Sequence, residues 1–212
     1  MKDIRLLMAA TAILLLSFTF GAQSTITNGL VSYYLFDGNA NDAVGTNNGI
    51  IHSVISTSDR ATNLNSAYSF DGSDSSVNLP DPTLNNLSAG TLATWVQLSR
   101  NTQELIFAKQ HDGVDSYGVF GVGIYCDGYG NLPSGQAGKL YFRNHRFGNL
   151  AASSALLSTG LWHHVAVAFS PTNCIFYIDG IQSDSLPGNF SLPNVTPFQP
   201  AQPSVRGRVR PA

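Results

Sequence analysis

An all-β domain is the fold class that this sequence predicts, and three observations carry it. Trp162–Phe169 is dense in Val and aromatic residues, Ser170-Pro171-Thr172-Asn173 supplies turn formers, and Ile175-Phe176-Tyr177-Ile178 runs into the turn dipeptide Asp179-Gly180, a hairpin pattern. Only 11% of residues are charged, while Gly, Ser, Asn and Thr abound, which suits short strands joined by polar turns. The 212 residues are enough for one domain with a sizeable core.

The hairpin is the organising element. Period two puts His163, Val165, Val167 and Phe169 on one face and Trp162, His164, Ala166 and Ala168 on the other. Both faces are largely apolar, so the strand is expected at the centre of a sheet, covered on both sides.

Taken in order, the chain opens on a targeting segment. Lys2 and Arg5 precede an apolar run over residues 6–20, the pattern of a signal peptide ending near residue 22. The run is short of the roughly 20 apolar residues that span a bilayer, so no stable transmembrane segment is expected after cleavage. Secretion follows, to the extracellular space or the cell surface. In that setting Cys126 and Cys174 are candidates for one disulfide, with two separate thiols as the alternative.

Residues 29–36 alternate Leu30, Ser32, Tyr34 and Phe36 against Val31, Tyr33 and Leu35, a strand pattern. The loop that follows, Asp37-Gly38-Asn39-Ala40-Asn41-Asp42, places oxygen side chains in the manner that suits a hard cation. It lacks the glycine and the glutamate an EF-hand needs, and an Asx-turn loop without metal is the plainer reading. A turn at residues 47–49 leads into Ile50-Ile51, a short strand. Residues 56–65 are a polar loop, Ala67-Tyr68-Ser69-Phe70 is a strand, and Asp71-Gly72-Ser73-Asp74 is a turn whose carboxylates are secondary metal candidates. Val77-Asn78-Leu79 ends at Pro80 and Pro82, whose nitrogens cannot donate to a ladder.

Residues 91–98 alternate again, with Trp95 as a core candidate alongside Trp162, and residues 104–109 form the next strand. Residues 110–138 carry eight Gly and are expected to be rich in loop. Within them His111, Asp112, Asp115, Tyr117, Tyr125, Asp127, Tyr129 and Asn131 are the candidate ligand-binding residues, because sugars are held by an aromatic face plus Asp and Asn hydrogen bonds. A glycine-rich loop packing its own tyrosines is the competing interpretation. Residues 139–143 return to strand.

Four of these stretches together resemble the laminin-G-like domains of the concanavalin-A-like lectin/glucanase superfamily. They are the opening Gly29-Leu30-Val31-Ser32-Tyr33-Tyr34-Leu35-Phe36-Asp37-Gly38-Asn39-Ala40-Asn41-Asp42, then Ala67-Tyr68-Ser69-Phe70-Asp71-Gly72 with Val77-Asn78-Leu79, then Thr91-Leu92-Ala93-Thr94-Trp95-Val96, and finally Trp162-His163-His164-Val165-Ala166-Val167 with its Phe176-Tyr177-Ile178-Asp179-Gly180 partner. The resemblance implies a jelly-roll sandwich over residues 25–200. It also implies calcium held partly by the first loop, which names Asp37, Asn39, Asn41 and Asp42 as the metal candidates.

The family pattern breaks after Asp179-Gly180. An Ile-Gly-rich strand and a closing Ile-Asp-Asp/Glu-Val-like strand are expected there, and the sequence shows a proline-rich stretch from Pro187 and a basic tail over residues 201–212 with Arg206, Arg208 and Arg210. The expectation is a sandwich lacking its closing strands, ended by truncation or a frame shift.

Catalysis is not expected. Glycosidases of this fold need closely spaced acidic residues, and the chain has a single glutamate, Glu104, with its aspartates in turns beside Gly. His163 and His164 point to opposite faces of one strand and cannot chelate one ion. No nucleophile elbow or phosphate loop is present. Between residues 25 and 200 six basic and twelve acidic side chains leave no basic stripe for nucleic acid. The functional expectation is a secreted adhesion or binding module for glycans or extracellular proteins. A structural spacer, or a fragment of a larger surface protein or polysaccharide-degrading enzyme, is the alternative.

Overall fold

The computed structural model describes residues 28–79, 87–99, 104–111, 120–126, 138–144, 149–191 and 204–205. The chain divides at Leu30, and the unit from Val31 onward contains all the strands. Those strands are β1 (Ile50–His52), β2 (Ile55–Thr57), β3 (Ala67–Ser69), β4 (Ser76–Asn78), β5 (Gly90–Gln97), β6 (Glu104–His111), β7 (Phe120–Cys126), β8 (Lys139–Asn144), β9 (Asn149–Leu156), β10 (Trp162–Phe169), β11 (Asn173–Ile178), β12 (Ile181–Pro187) and β13 (Ser204–Val205).

They form a seven-stranded sheet ordered β1-β4-β13-β6-β7-β8-β9, a four-stranded sheet ordered β12-β11-β10-β5, and a small β2-β3 pair. All ladders are antiparallel. One core fills the space between the two large sheets. Ile106, Leu140, Phe142 and Ala151 come from the first, and Val165, Val167, Phe169, Cys174, Phe176 and Ile178 from the second. A smaller cluster gathers Ala40, Tyr68, Phe70, Val77 and Leu79 under Tyr34 and Phe36.

The expected hairpin is β10–β11, with β10 between β11 and β5 as its apolar faces required. Val165, Val167 and Phe169 are the inward set. Of the outer set, Ala166 is buried while Trp162, His164 and Ala168 are half-buried, so the expected cover on both sides is met only in part.

Several expectations are corrected. Trp95 is 44% exposed and not a core residue, because β5 turns Leu92 and Val96 onto the core and therefore turns Ala93, Trp95 and Gln97 outward. Trp162 is only half-buried. Residues 31–36 keep the expected alternation of exposure, yet join no ladder beyond the single bridge Tyr34↔Asp42 among the described residues. Their backbone is drawn to the loop behind them: the Asp42 carboxylate accepts the Tyr33 N–H at 3.0 Å, and the Tyr33 carbonyl accepts the Ala43 N–H at 2.8 Å.

Cys174 is a free thiol buried in the main core, as in the alternative of two separate thiols, and burial pushes its pKa up to about 12. After Asp179-Gly180 the chain continues in strand as β12, and Phe190 packs into the main core. Ser204 and Val205 insert between β4 and β6, so a short piece of the expected tail completes the seven-stranded sheet. β7 adds a strand where loop was expected, and β9, built largely of Ala and Ser, gave no apolar alternation to announce it.

The two sheets are tied along one side by β9 and β12. Asp184 accepts the Ser154 N–H and the Ser183 hydroxyl, and Ser183 Oγ in turn accepts the Ala155 N–H at 3.1 Å. Gly138, at the entry to β8, is required by shape. Its φ is +81°, and an added Cβ would collide with the Leu157 carbonyl oxygen.

Candidate functional site on the outer face of the four-stranded sheet

The register of the four-stranded sheet assembles an open face. His164 lies opposite Trp95, Ala166 opposite Ala93 on one side and Tyr177 on the other, and Ala168 opposite Thr91 and Ile175. The alanines make a low floor between taller rims, Trp95 with His164 at one end and Tyr177 at the side. Their rings are within contact, with Trp95 and His164 centroids 5.2 Å apart at 59°.

A loop outside the sheet completes this end. The Arg60 guanidinium carbon lies 4.4 Å over the Trp95 ring, a cation–π contact. The loop is held by Asp59, whose Oδ1 accepts the N–H groups of Ala61 at 2.8 Å and Asn63 at 2.9 Å, and whose Oδ2 accepts Asn63 Nδ2 at 2.9 Å. These bonds, the Asn63 side chain foremost, hold the Asp59 carboxyl below the ordinary aspartate range, with the Arg60 charge a smaller contribution. Such a face, half-exposed aromatic, cation and flat floor, suits a ligand with one apolar side and several hydroxyls.

The hairpin end next to this face is locked by one carboxylate. His163 Nδ1 is 2.8 Å from Asp179 Oδ2, and the His164 N–H donates to Asp179 Oδ1 at 2.9 Å. On its other side the His163 Nε2 meets the Ser158 hydroxyl at 2.8 Å and the Ser158 N–H at 3.2 Å. A backbone donor at Nε2 requires a lone pair there, which puts the proton on Nδ1, facing Asp179. Serine, histidine and aspartate stand in relay order, but the acceptor is shared with the Ser158 backbone, and the arrangement acts as a clamp between the 157–161 link and the β11–β12 turn.

The predicted metal loop is described in full. Asn39 Nδ2 donates to Asp37 Oδ1 at 3.0 Å, and the Asn41 N–H donates to Asn39 Oδ1 at 2.9 Å. Asp42 accepts the N–H groups of Tyr33 and Val44 at Oδ1 and of Asn47 at Oδ2. Burial pushes the Asp42 carboxyl up, but these amides and the Ser32 hydroxyl outweigh it and leave it below the ordinary value. The oxygens expected to meet a cation are turned to the loop's own amides, so the four residues as they stand fit an Asx-type closure better than a calcium shell. Among the described residues no group of three His, Cys, Asp or Glu side chains is placed to hold a metal. Asp71 behaves alike: its Oδ1 accepts Ser75 Oγ at 2.6 Å and the Ser73 N–H at 2.8 Å, which lowers its carboxyl to about 2.

Of the predicted ligand residues, only His111 and Tyr125 fall in described backbone. β6 and β7 pair Leu105 with Tyr125 and His111 with Phe120, so the two stand at opposite ends of one ladder, about 20 Å apart at strand rise. Asp112, Asp115, Tyr117, Asp127, Tyr129 and Asn131 lie outside the described residues. The Trp95 face was missed because the alternation of β5 reads equally well with either face inward. The signal that finds it is Trp95 sharing a face with Ala93 and Gln97 while Leu92, Val96 and Leu98 share the other.

Residues 71–203 match the family model Laminin_G_3, described as the concanavalin A-like lectin/glucanases superfamily. No curated protein matches the chain. Among solved structures, domain 4 of AbnA, a GH43 extracellular arabinanase from Geobacillus stearothermophilus solved with arabinotriose, is 20% identical with a TM-score of 0.51, over 86% of this chain and 85% of that one. An S-layer domain-containing protein of Clostridium thermocellum is 25% identical with a TM-score of 0.40, over 76% and 73% of the two chains. Domains LG4-5 of the mouse laminin alpha1 chain are 21% identical with a TM-score of 0.35, over 61% and 35%. The first likeness bears on the fold, and the other two are too loose to carry an argument.

Proposed function

The chain belongs to the Laminin_G_3 family of the concanavalin A-like lectin/glucanase superfamily, and from that premise we propose that it is a non-catalytic saccharide-binding module acting outside the cytoplasm. The observation that carries the reading is Trp95, 44% exposed on the outer face of the four-stranded sheet and capped by Arg60. The part of the indole that stays exposed beside the Arg60 guanidinium offers an apolar surface on a rigid strand against which the C–H face of a sugar ring can pack. His164, Tyr177 and Gln97 supply polar tips around it.

The sequence supports the rest of the reading. The N-terminal segment has signal-peptide character. The arabinanase domain that shares the fold was solved with arabinotriose, which makes short oligosaccharides natural first ligands. The stretch from His111 to Asn131 is a second candidate region for ligand binding.

Affinity gel electrophoresis against a polysaccharide panel tests the function. Retardation of the wild-type chain, lost in Trp95→Ala, is the expected result. Migration unaffected by every polysaccharide leaves the domain as a spacer or a protein-binding module.

A further inference from the structure

We propose that the Trp95 face takes a saccharide carrying a carboxylate, a uronic acid unit, and that Arg60 reads its charge; this inference rests on the saccharide reading above. Arg60 is exposed, and among the described residues no carboxylate forms an ion pair with it. The acid nearest in sequence, Asp59, has both oxygens spent on Ala61 and Asn63. The loop thus performs two tasks: it keeps the Asp59 oxygens out of direct contact with the guanidinium, and it presents that group over the indole. Held there, the group has fewer rotamers to lose on binding, and its N–H fork matches a carboxylate in two parallel bonds.

The surroundings define the ligand further. The whole chain carries a net charge of −2, so no broad positive field gathers polyanions, and selectivity must come from one local contact beside an apolar ring. A sugar with a single carboxylate per unit satisfies both requirements: its C–H face packs on the part of Trp95 left exposed beside Arg60, and its carboxylate meets the N–H edge of the guanidinium. A neutral pentose or hexose satisfies only the first.

The test pairs polygalacturonate, alginate and glucuronoxylan each with its carboxyl-reduced, neutral counterpart, using the full chain in affinity electrophoresis. At least one acidic polymer is expected to bind about tenfold more tightly than its reduced form. Arg60→Gln should erase that difference with only the small drop in melting temperature that its indole contact implies, Arg60→Lys should restore part of it, and Trp95→Ala should remove binding to both forms. If neutral forms bind as well as acidic ones, the role of Arg60 falls while the saccharide reading stands. If neither form of any polymer is bound, both fall.

Discussion

His163 Nδ1 donates to Asp179 Oδ2 at 2.8 Å while Asp179 Oδ1 takes the backbone N–H of the next residue, His164, at 2.9 Å. One carboxylate therefore holds two consecutive residues of β10 that face opposite ways: His163 toward the Ser158 link, His164 toward Trp95. Asp179 reaches this position with φ at +52°, the left-handed region that Asp tolerates better than most residues, and Gly180 at +80° completes the turn.

Asp179→Ala removes both acceptors and places an alanine at a left-handed position, and it should cost about 2 kcal/mol. Asp179→Asn keeps one acceptor and the tolerance for that backbone, so it should cost less. Chemical denaturation of the two variants checks the order; equal midpoints for wild type and Asp179→Ala would rule out the clamp.

Acid should weaken the fold from a predictable side. The carboxyls of Asp42, Asp71, Asp179 and Asp184 all lie below the ordinary aspartate value of 3.8, Asp71 at about 2. A depressed folded value means stability fully present above the unfolded value and lost as pH falls through the folded one. The melting temperature is expected to hold down to about pH 4 and to fall between there and pH 2. A profile flat to pH 2 would contradict the hydrogen bonds that depress these groups.

Trp95 and Phe176 should respond oppositely to truncation. Phe176 is fully buried between the sheets, and Phe176→Ala should cost about 3–5 kcal/mol. Trp95→Ala loses only a half-exposed ring and its Arg60 contact, about 1 kcal/mol, while abolishing saccharide binding. A large loss of stability in Trp95→Ala would return that residue to a structural role.

These contrasts show how much of the fold was legible in residue order. The β10–β11 hairpin was readable because Val, Phe and Ile at alternate positions and Asp179-Gly180 are local signals that the packing agrees with. β5 was readable as a strand but not as to which face goes inside, since the larger apolar area of Trp95 competes with Leu92 and Val96 and the choice is made by the pairing with β10. β9 escaped because Ala and Ser fill a buried position such as Ser153 without an apolar signature. The Arg60–Trp95 pair is a contact between a loop and a distant strand, and nothing local in either stretch encodes it. The first loop was recognised as an oxygen cluster, but composition alone does not reveal that its carboxylate is turned to its own amides.

That loop yields a metal test. Because Asp42 is engaged by three backbone N–H groups, Asp42→Ala should destabilise the chain by about 1–3 kcal/mol, with the same loss in chelator and in millimolar calcium. Wild-type melting raised by calcium, with the rise absent in Asp42→Ala, would establish the ion at this loop in place of the amide closure.

The last expectation concerns the edge before that loop. Val31, Tyr33 and Leu35 are 40%, 49% and 50% exposed on one side of an extended segment, while Tyr34 and Phe36 on the other side pack toward Tyr68. Long apolar edges are ordinarily guarded by charge, proline or a bulge, and residues 31–36 carry none of the first two. β12 on the four-stranded sheet has all three protections, with Asp184, Pro187 and the irregularity opposite Phe176 and Tyr177. The unguarded segment should therefore associate with other chains, and the double variant Tyr33→Lys, Leu35→Lys should shift sedimentation toward monomer while leaving the melting transition in place. Monodisperse wild-type protein at high concentration would show that this row is tolerated as ordinary surface.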